Sequence, residues 1–245
     1  MLLCRCPASA RRLTPLTPFH PMRPSLFIAC ATAAAAVLCA APANAQSRTA
    51  LHAAVEQQDL GNLQALLATP EGLRLLEARD AQGRTALLLA TVLGHEALAT
   101  HLIDAGANVN AQDDQRDSPY LLAGAEGNLP ILRLALAHGA DLRSTNRFGG
   151  TALIPAAERG HVEAVRLLIA AGVDVNHVNR LGWTALLEAI ILSDGGPAHQ
   201  DIAAQLLAAG ADVNLPDHDG VTPLAHAERR GQQAMAALLR AAGGR

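Results

Sequence analysis

A short phrase returns along this chain as Gly83-Arg84-Thr85-Ala86-Leu87, Gly149-Gly150-Thr151-Ala152-Leu153, Gly182-Trp183-Thr184-Ala185-Leu186 and Gly220-Val221-Thr222-Pro223-Leu224. Thr85, Ser118, Thr151 and Thr184 follow one another at intervals of 33 residues. Self-similarity at such a period marks a chain built of small supersecondary units, none of which can bury its apolar face alone. The units must stack on their neighbours into a quasi-linear array with an extended surface, which favours recognition over catalysis.

Residues 80–112 serve as a template for one unit. Asp80 and Gly83 are turn residues, and Thr85 is a good N-cap for a helix from Ala86 to about Leu93. Gly94 breaks that helix. A second helix from about His95 to Ala105 carries Leu98, Leu102 and Ile103 at core spacing and ends at Gly106, a residue suited to the left-handed conformation. The same breakers recur as Gly127 with Gly139 and as Gly160 with Gly172. Aromatic residues make up only 2% of the chain and hydrophobic residues 50%, so the core must be aliphatic, built from the helix-forming Ala and Leu.

Read from Gly83-Arg84-Thr85-Ala86-Leu87 through Gly94-His95 to Gly106-Ala107-Asn108-Val109-Asn110, the chain resembles the ankyrin repeat family. The resemblance implies an all-α solenoid of about six helix-turn-helix units joined by extended, hairpin-like loops: 46–79, 80–112, 113–145, 146–178, 179–216 and 217–245, the first and last being caps. The family's His after Thr-Pro-Leu survives only as His52. Leu88, Leu121, Ile154, Leu187 and Ala225 stand in the equivalent places, so stacking relies on aliphatic burial. Unit three has Arg116 where the turn glycine is expected, and its loop is expected to deviate. In unit five Ser193–Asp201 lengthens the period by five residues, and in unit one the period is longer by three; such insertions are expected in loops.

Residues 1–45 have a different composition, with Arg5, Arg11, Arg12 and Arg23, no acidic residue, and an apolar run from Leu26 to Ala41. That run has 16 residues, short for a membrane span, and leads into Ala43-Asn44-Ala45. A basic start, a short apolar stretch and an A-x-A site describe a secretory signal peptide cut after Ala45, with Met22 as an alternative start. An uncleaved anchor and acylation at Cys30 or Cys39 are the competing readings. Leu38 is too bulky for the acylation site, and the cleavage motif favours the cut. Cys4, Cys6, Cys30 and Cys39 all precede it, so the mature part has no thiol and suits the periplasm or the exterior.

Four of the 19 basic residues, all arginine, lie in that leader, which leaves 15 arginines against 22 acidic residues downstream, a net charge of −7. This sign disfavours nucleic acid and anionic membrane surfaces. Ten histidines are present, but His95, His161 and His52 sit at places the resemblance explains structurally, and zinc-ligand spacing is absent. His177, His199 and His218 read as exposed loop residues. Without a nucleophile elbow, a phosphate-cradling loop or paired catalytic acids, the chain is expected to be no enzyme, to hold no cofactor or metal and to have no catalytic residues.

The resemblance implies a partner protein held on a concave face of finger tips and exposed helix edges. Three aromatic residues follow the leader, and two of them, Phe148 and Trp183, fall on adjacent tips beside Arg147, Arg180 and Leu181; Ile191 and Leu192 form the neighbouring helix edge. Trp and Arg are the residues most enriched at binding hot spots. These seven positions are the expected partner site, the partner being an envelope enzyme the protein assists or protects, or a toxin it neutralises. A small-ligand or haem-binding role through the finger histidines is the alternative. Replacing both Trp183 and Phe148 by Ala is expected to abolish partner capture without loss of helical content by circular dichroism. Loss of the fold itself would refute the assignment.

Overall fold

The computed structural model describes residues 49–245. The signal-peptide reading of residues 1–45, with Met22 and the cut after Ala45, lies outside the described residues. Among the described residues there are thirteen helices and no strand. α1 (Ala50–Glu56) pairs with α2 (Leu60–Leu67) and is followed by the short α3 (Pro70–Arg74). The next pairs are α4 (Ala86–Val92) with α5 (Glu96–Asp104), α6 (Pro119–Ala125) with α7 (Leu129–Ala137) and α8 (Leu153–Glu158) with α9 (Val162–Ala171). α10 (Ala185–Ile191) with α11 (Pro197–Ala208) and α12 (Pro223–Arg229) with α13 (Gln233–Ala241) complete the array.

First members stack in one layer, α4 on α1, then α6, α8, α10 and α12 in turn, and second members stack likewise in another. The last residue of the repeated phrase anchors the core between them: Leu51, Leu87, Tyr120, Leu153, Leu186 and Leu224 are all buried. The small Ala86, Ala152 and Ala185 beside them are buried too, which lets the inner helices approach closely.

The phrase also explains where the inner helices begin. Thr49, Thr85, Ser118, Thr184 and Thr222 have extended backbone and accept, through the side chain, from the N–H three residues on. Such caps stabilise a helix by roughly 1 kcal/mol each. Unit four departs because Pro155 has no N–H for the Thr151 carbonyl, whereas Leu89, Leu122, Glu188 and His226 bond the cap residues of their own units. Ile154 N–H reaches that carbonyl instead, at 3.3 Å, the first turn tightens, and the buried Thr151 hydroxyl has no partner.

Each finger is a turn organised by one side chain. Oδ1 of Asp80, Asp113, Asn146, Asn179 and Asp217 accepts from the N–H groups two and four residues on, at 2.8–3.1 Å. Unit three, expected to deviate, keeps this turn: Arg116 has a φ of 62°, in register with Gly83, Gly149, Gly182 and Gly220. The side-chain hydrogen bonds of Asp113 hold it there against a cost of about 1–2 kcal/mol.

The insertions follow the loop expectation only in part. Some of the excess in unit five lengthens the loop before α11, and some enters the helix itself, because Pro197 starts α11 early and it reaches 12 residues, against 10 in α9. The longer first unit accommodates α3, which Thr69 caps by accepting from Gly72 N–H. Polar side chains tie the units together. His52 Nε2 donates to the Arg84 carbonyl at 2.9 Å. Asn110, Asn176 and Asn214 each donate to a glycine carbonyl in the following turn and accept from a backbone N–H two residues beyond it.

Gly72 shows how close these approaches are, since a Cβ there would stand 2.0 Å from the Leu66 carbonyl oxygen. Helix propensity alone would make Gly72→Ala stabilising by up to about 1 kcal/mol. The contact predicts the opposite, a loss of about 1–3 kcal/mol in urea unfolding, typical of overpacking. A stability gain would show that α3 is not seated against α2.

Candidate partner-binding face

The fingers of units four and five and the ends of the inner helices enclose a groove of about 280 Å³. Arg147 and Phe148 come from one finger and Leu181 from the next, while Ile154, Pro155, Glu158 and Arg159 come from α8 and its end, and Glu188 and Leu192 from α10 and its end. Phe148, Leu181 and Leu192 are 49%, 50% and 48% exposed, unusual for large apolar side chains clustered together. A second hollow, lined by Val92, Leu93, Leu122 and Glu126, shares Leu122 with the groove and continues this face toward unit two.

The groove wall is stiffened by hydrogen bonds between fingers. The Arg180 N–H donates to the Phe148 carbonyl and its guanidinium to the Arg147 carbonyl, both at 2.9 Å. Gln112 Nε2 donates to the Thr145 carbonyl at 2.9 Å, and Arg79 donates to the Gln112 carbonyl. Arg147 lies over the Phe148 ring, 4.7 Å from its centroid, and meets Asp117 Oδ2 at 3.2 Å. Arg159 pairs with Glu126.

Of the seven residues expected at the site, the structure gathers Arg147, Phe148, Leu181 and Leu192 around this groove. Arg180, Trp183 and Ile191 do not line it. The guanidinium of Arg180 is committed to backbone, and Trp183 and Ile191 are half-buried. Of the three histidines read as exposed loop residues, His218 is exposed in its finger as expected, whereas His177 and His199 are half-buried and hydrogen-bonded. His177 Nε2 donates to the Gly149 carbonyl at 2.7 Å, and His199, now in α11, donates to the Glu158 carbonyl at 2.9 Å. The His218 ring covers Gly182, where a Cβ would lie 2.5 Å from it. Among the described residues, no group of three or more His, Cys, Asp or Glu is placed to hold a metal.

One residue of the groove escaped the sequence reading. Glu188 is only 5% exposed, and its Oε1 accepts from Asn179 Nδ2 at 2.7 Å. The signal was present in the repeats, since the residues nine places after each finger's organising residue are Leu89, Leu122, Pro155, Glu188 and His226. A carboxylate thus stands where the preceding three units are apolar. Burial, reinforced by the nearby charge of Glu158 and opposed by the Asn179 hydrogen bond, pushes its carboxyl from an ordinary 4.5 up to about 7.

The chain matches the family model described as ankyrin repeats (3 copies) over residues 26–113 and 120–217. It belongs to the ankyrin repeat family. An ankyrin repeat domain from Acinetobacter baumannii AYE, solved by crystallography, is 58% identical with a TM-score of 0.76, over 80% of this chain and 98% of that one. YahD of Escherichia coli (strain K12), named as an ankyrin repeat protein, is 41% identical over 191 residues, 78% of this chain and 94% of YahD. NF-kappa-B inhibitor alpha of Mus musculus is 39% identical over 71 residues, 28% of this chain and 23% of that protein. Ankyrin repeats generally mediate protein–protein interaction and are typically non-enzymatic modules. No helix among the described residues is long and apolar enough to cross a membrane.

Glu188 makes stability depend on pH in a stated direction. Between about pH 4.5 and 7 the folded chain keeps a proton here that the unfolded chain releases, so this group's contribution falls as pH rises. Glu188→Gln is therefore expected to raise stability by about 1–3 kcal/mol near pH 8 and to leave it nearly unchanged near pH 4. Urea unfolding at the two pH values checks this. An equal gain at both would refute it.

Proposed function

We propose that this protein is an exported, non-enzymatic adaptor that binds another protein of the bacterial envelope along its inner-helix and finger face. The observation that carries the reading is the exposed trio Phe148, Leu181 and Leu192 around a groove with a hydrogen-bonded wall. An exposed apolar cluster of this kind marks an interaction surface, arginine is enriched at binding hot spots, and a preorganised wall lowers the ordering cost of association. Export, to the periplasm or beyond, is supported by the basic, apolar and A-x-A composition of residues 1–45. An accessory or protective role toward an envelope enzyme fits both features; toxin neutralisation would use the same face.

Affinity capture from an envelope fraction tests the reading, with the purified protein as bait. A double variant, Phe148→Ala with Leu192→Ala, is expected to lose the captured partner by tenfold or more, about 1.4 kcal/mol or above. Trp183→Ala alone is expected to retain capture, because Trp183 lies outside the groove. Equal capture by the double variant would move the interface elsewhere.

A further inference from the structure

The groove contains an electrostatic imbalance that its own residues leave open. Its two arginines are already matched, Arg147 to Asp117 and Arg159 to Glu126. Its two glutamates are not: among the described residues, neither Glu158 nor Glu188 stands in a salt bridge. Glu188 is 5% exposed and lines the groove, and its hydrogen-bond donor among the described residues, Asn179, is neutral. In the next unit the same nine-residue spacing places His226 against Asp217 at 2.7 Å, a pairing of opposite character completed within the chain. Unit five lacks that complement.

Building on the proposed partner-binding role, we infer that the groove receives a lysine or arginine side chain of the partner protein, its cationic head placed between Glu158 and Glu188. The flanking surfaces suit such a side chain. Basic residues lay their methylene stems along apolar surface and extend only the charge, and here Phe148, Leu181 and Leu192 supply that surface at the groove mouth. A cation reaching the two carboxylates supplies the compensation that their burial lacks, and removing water from the site strengthens the attraction. A purely apolar partner segment would gain no attraction from either carboxylate, and an acidic one would be repelled by them.

Selection of phage-displayed dodecapeptides on the purified protein tests this, followed by affinity measurement on a synthesised winner. The expected winners carry one basic residue at a fixed register between apolar residues, and their affinity falls about tenfold or more in Glu188→Gln, with a smaller fall in Glu158→Gln. Glu188→Gln should keep the circular dichroism spectrum and lose only the preference for a basic residue. Winners without a basic residue, an absence of enrichment, or affinities within about twofold between the parent protein and both variants would overturn the inference. The Phe148→Ala, Leu192→Ala double variant separates the two levels. If it selects the same peptides with the same affinity, the groove is not the binding surface and the proposed function falls with the inference. If it loses them while Glu188→Gln does not, only the assignment of a cation to the carboxylates is lost.

Discussion

The apolar face that each helix pair shares with the next is the contact on which the rest of this molecule depends. Inner helices of six or seven residues are far too short to persist alone in water, and each pair has too little apolar surface to enclose a core. Stacking solves both problems together. Leu87, Tyr120, Leu153 and Leu186 each fill a gap between units, so the core is continuous along the array. Stability in such an architecture is close to a sum of unit and neighbour terms, which is why an added helix in unit one and a lengthened one in unit five are tolerated.

Burial of leucine and alanine has little directional preference, and polar side chains supply the register. His52 and the ladder of Asn110, Asn176 and Asn214 reach from one unit to the backbone of the next, while Asp80, Asp113, Asn146, Asn179 and Asp217 hold the fingers. The consequence for function lies at the tips. With the turn backbone satisfied internally and Arg180 bridging two fingers, Phe148 and Leu181 are presented to solvent on a constrained frame. The groove is therefore shaped by the same bonds that hold the array together.

Much of this was legible in advance. The repeated phrase contains its own cap, core anchor and turn, so helix starts and breaks followed from local chemistry. Where the reading of elements failed, a single residue was usually the cause: Pro155 withholding an N–H, Pro197 starting α11 early, or Arg116 adopting a glycine-like conformation. The site reading ranked residues by type and therefore included Trp183 and Arg180, which the structure places half-buried and bound to backbone respectively. It passed over Glu188, whose significance comes from its burial and from Glu158 beside it.

The sequence by itself determined the family, the all-helical architecture, the order of units and the residues that repeat, because caps, turns and apolar spacing act within about a dozen residues of one another. Tertiary structure decided which exposed side chains converge. Phe148 comes from one finger, Leu181 from the next, and Glu188 and Leu192 from α10 and its end, and only stacking sets the distance from Phe148 to the other three. The altered titration of Glu188 arises in the same way, since desolvation and the Glu158 charge exist only once α8 and α10 are packed together.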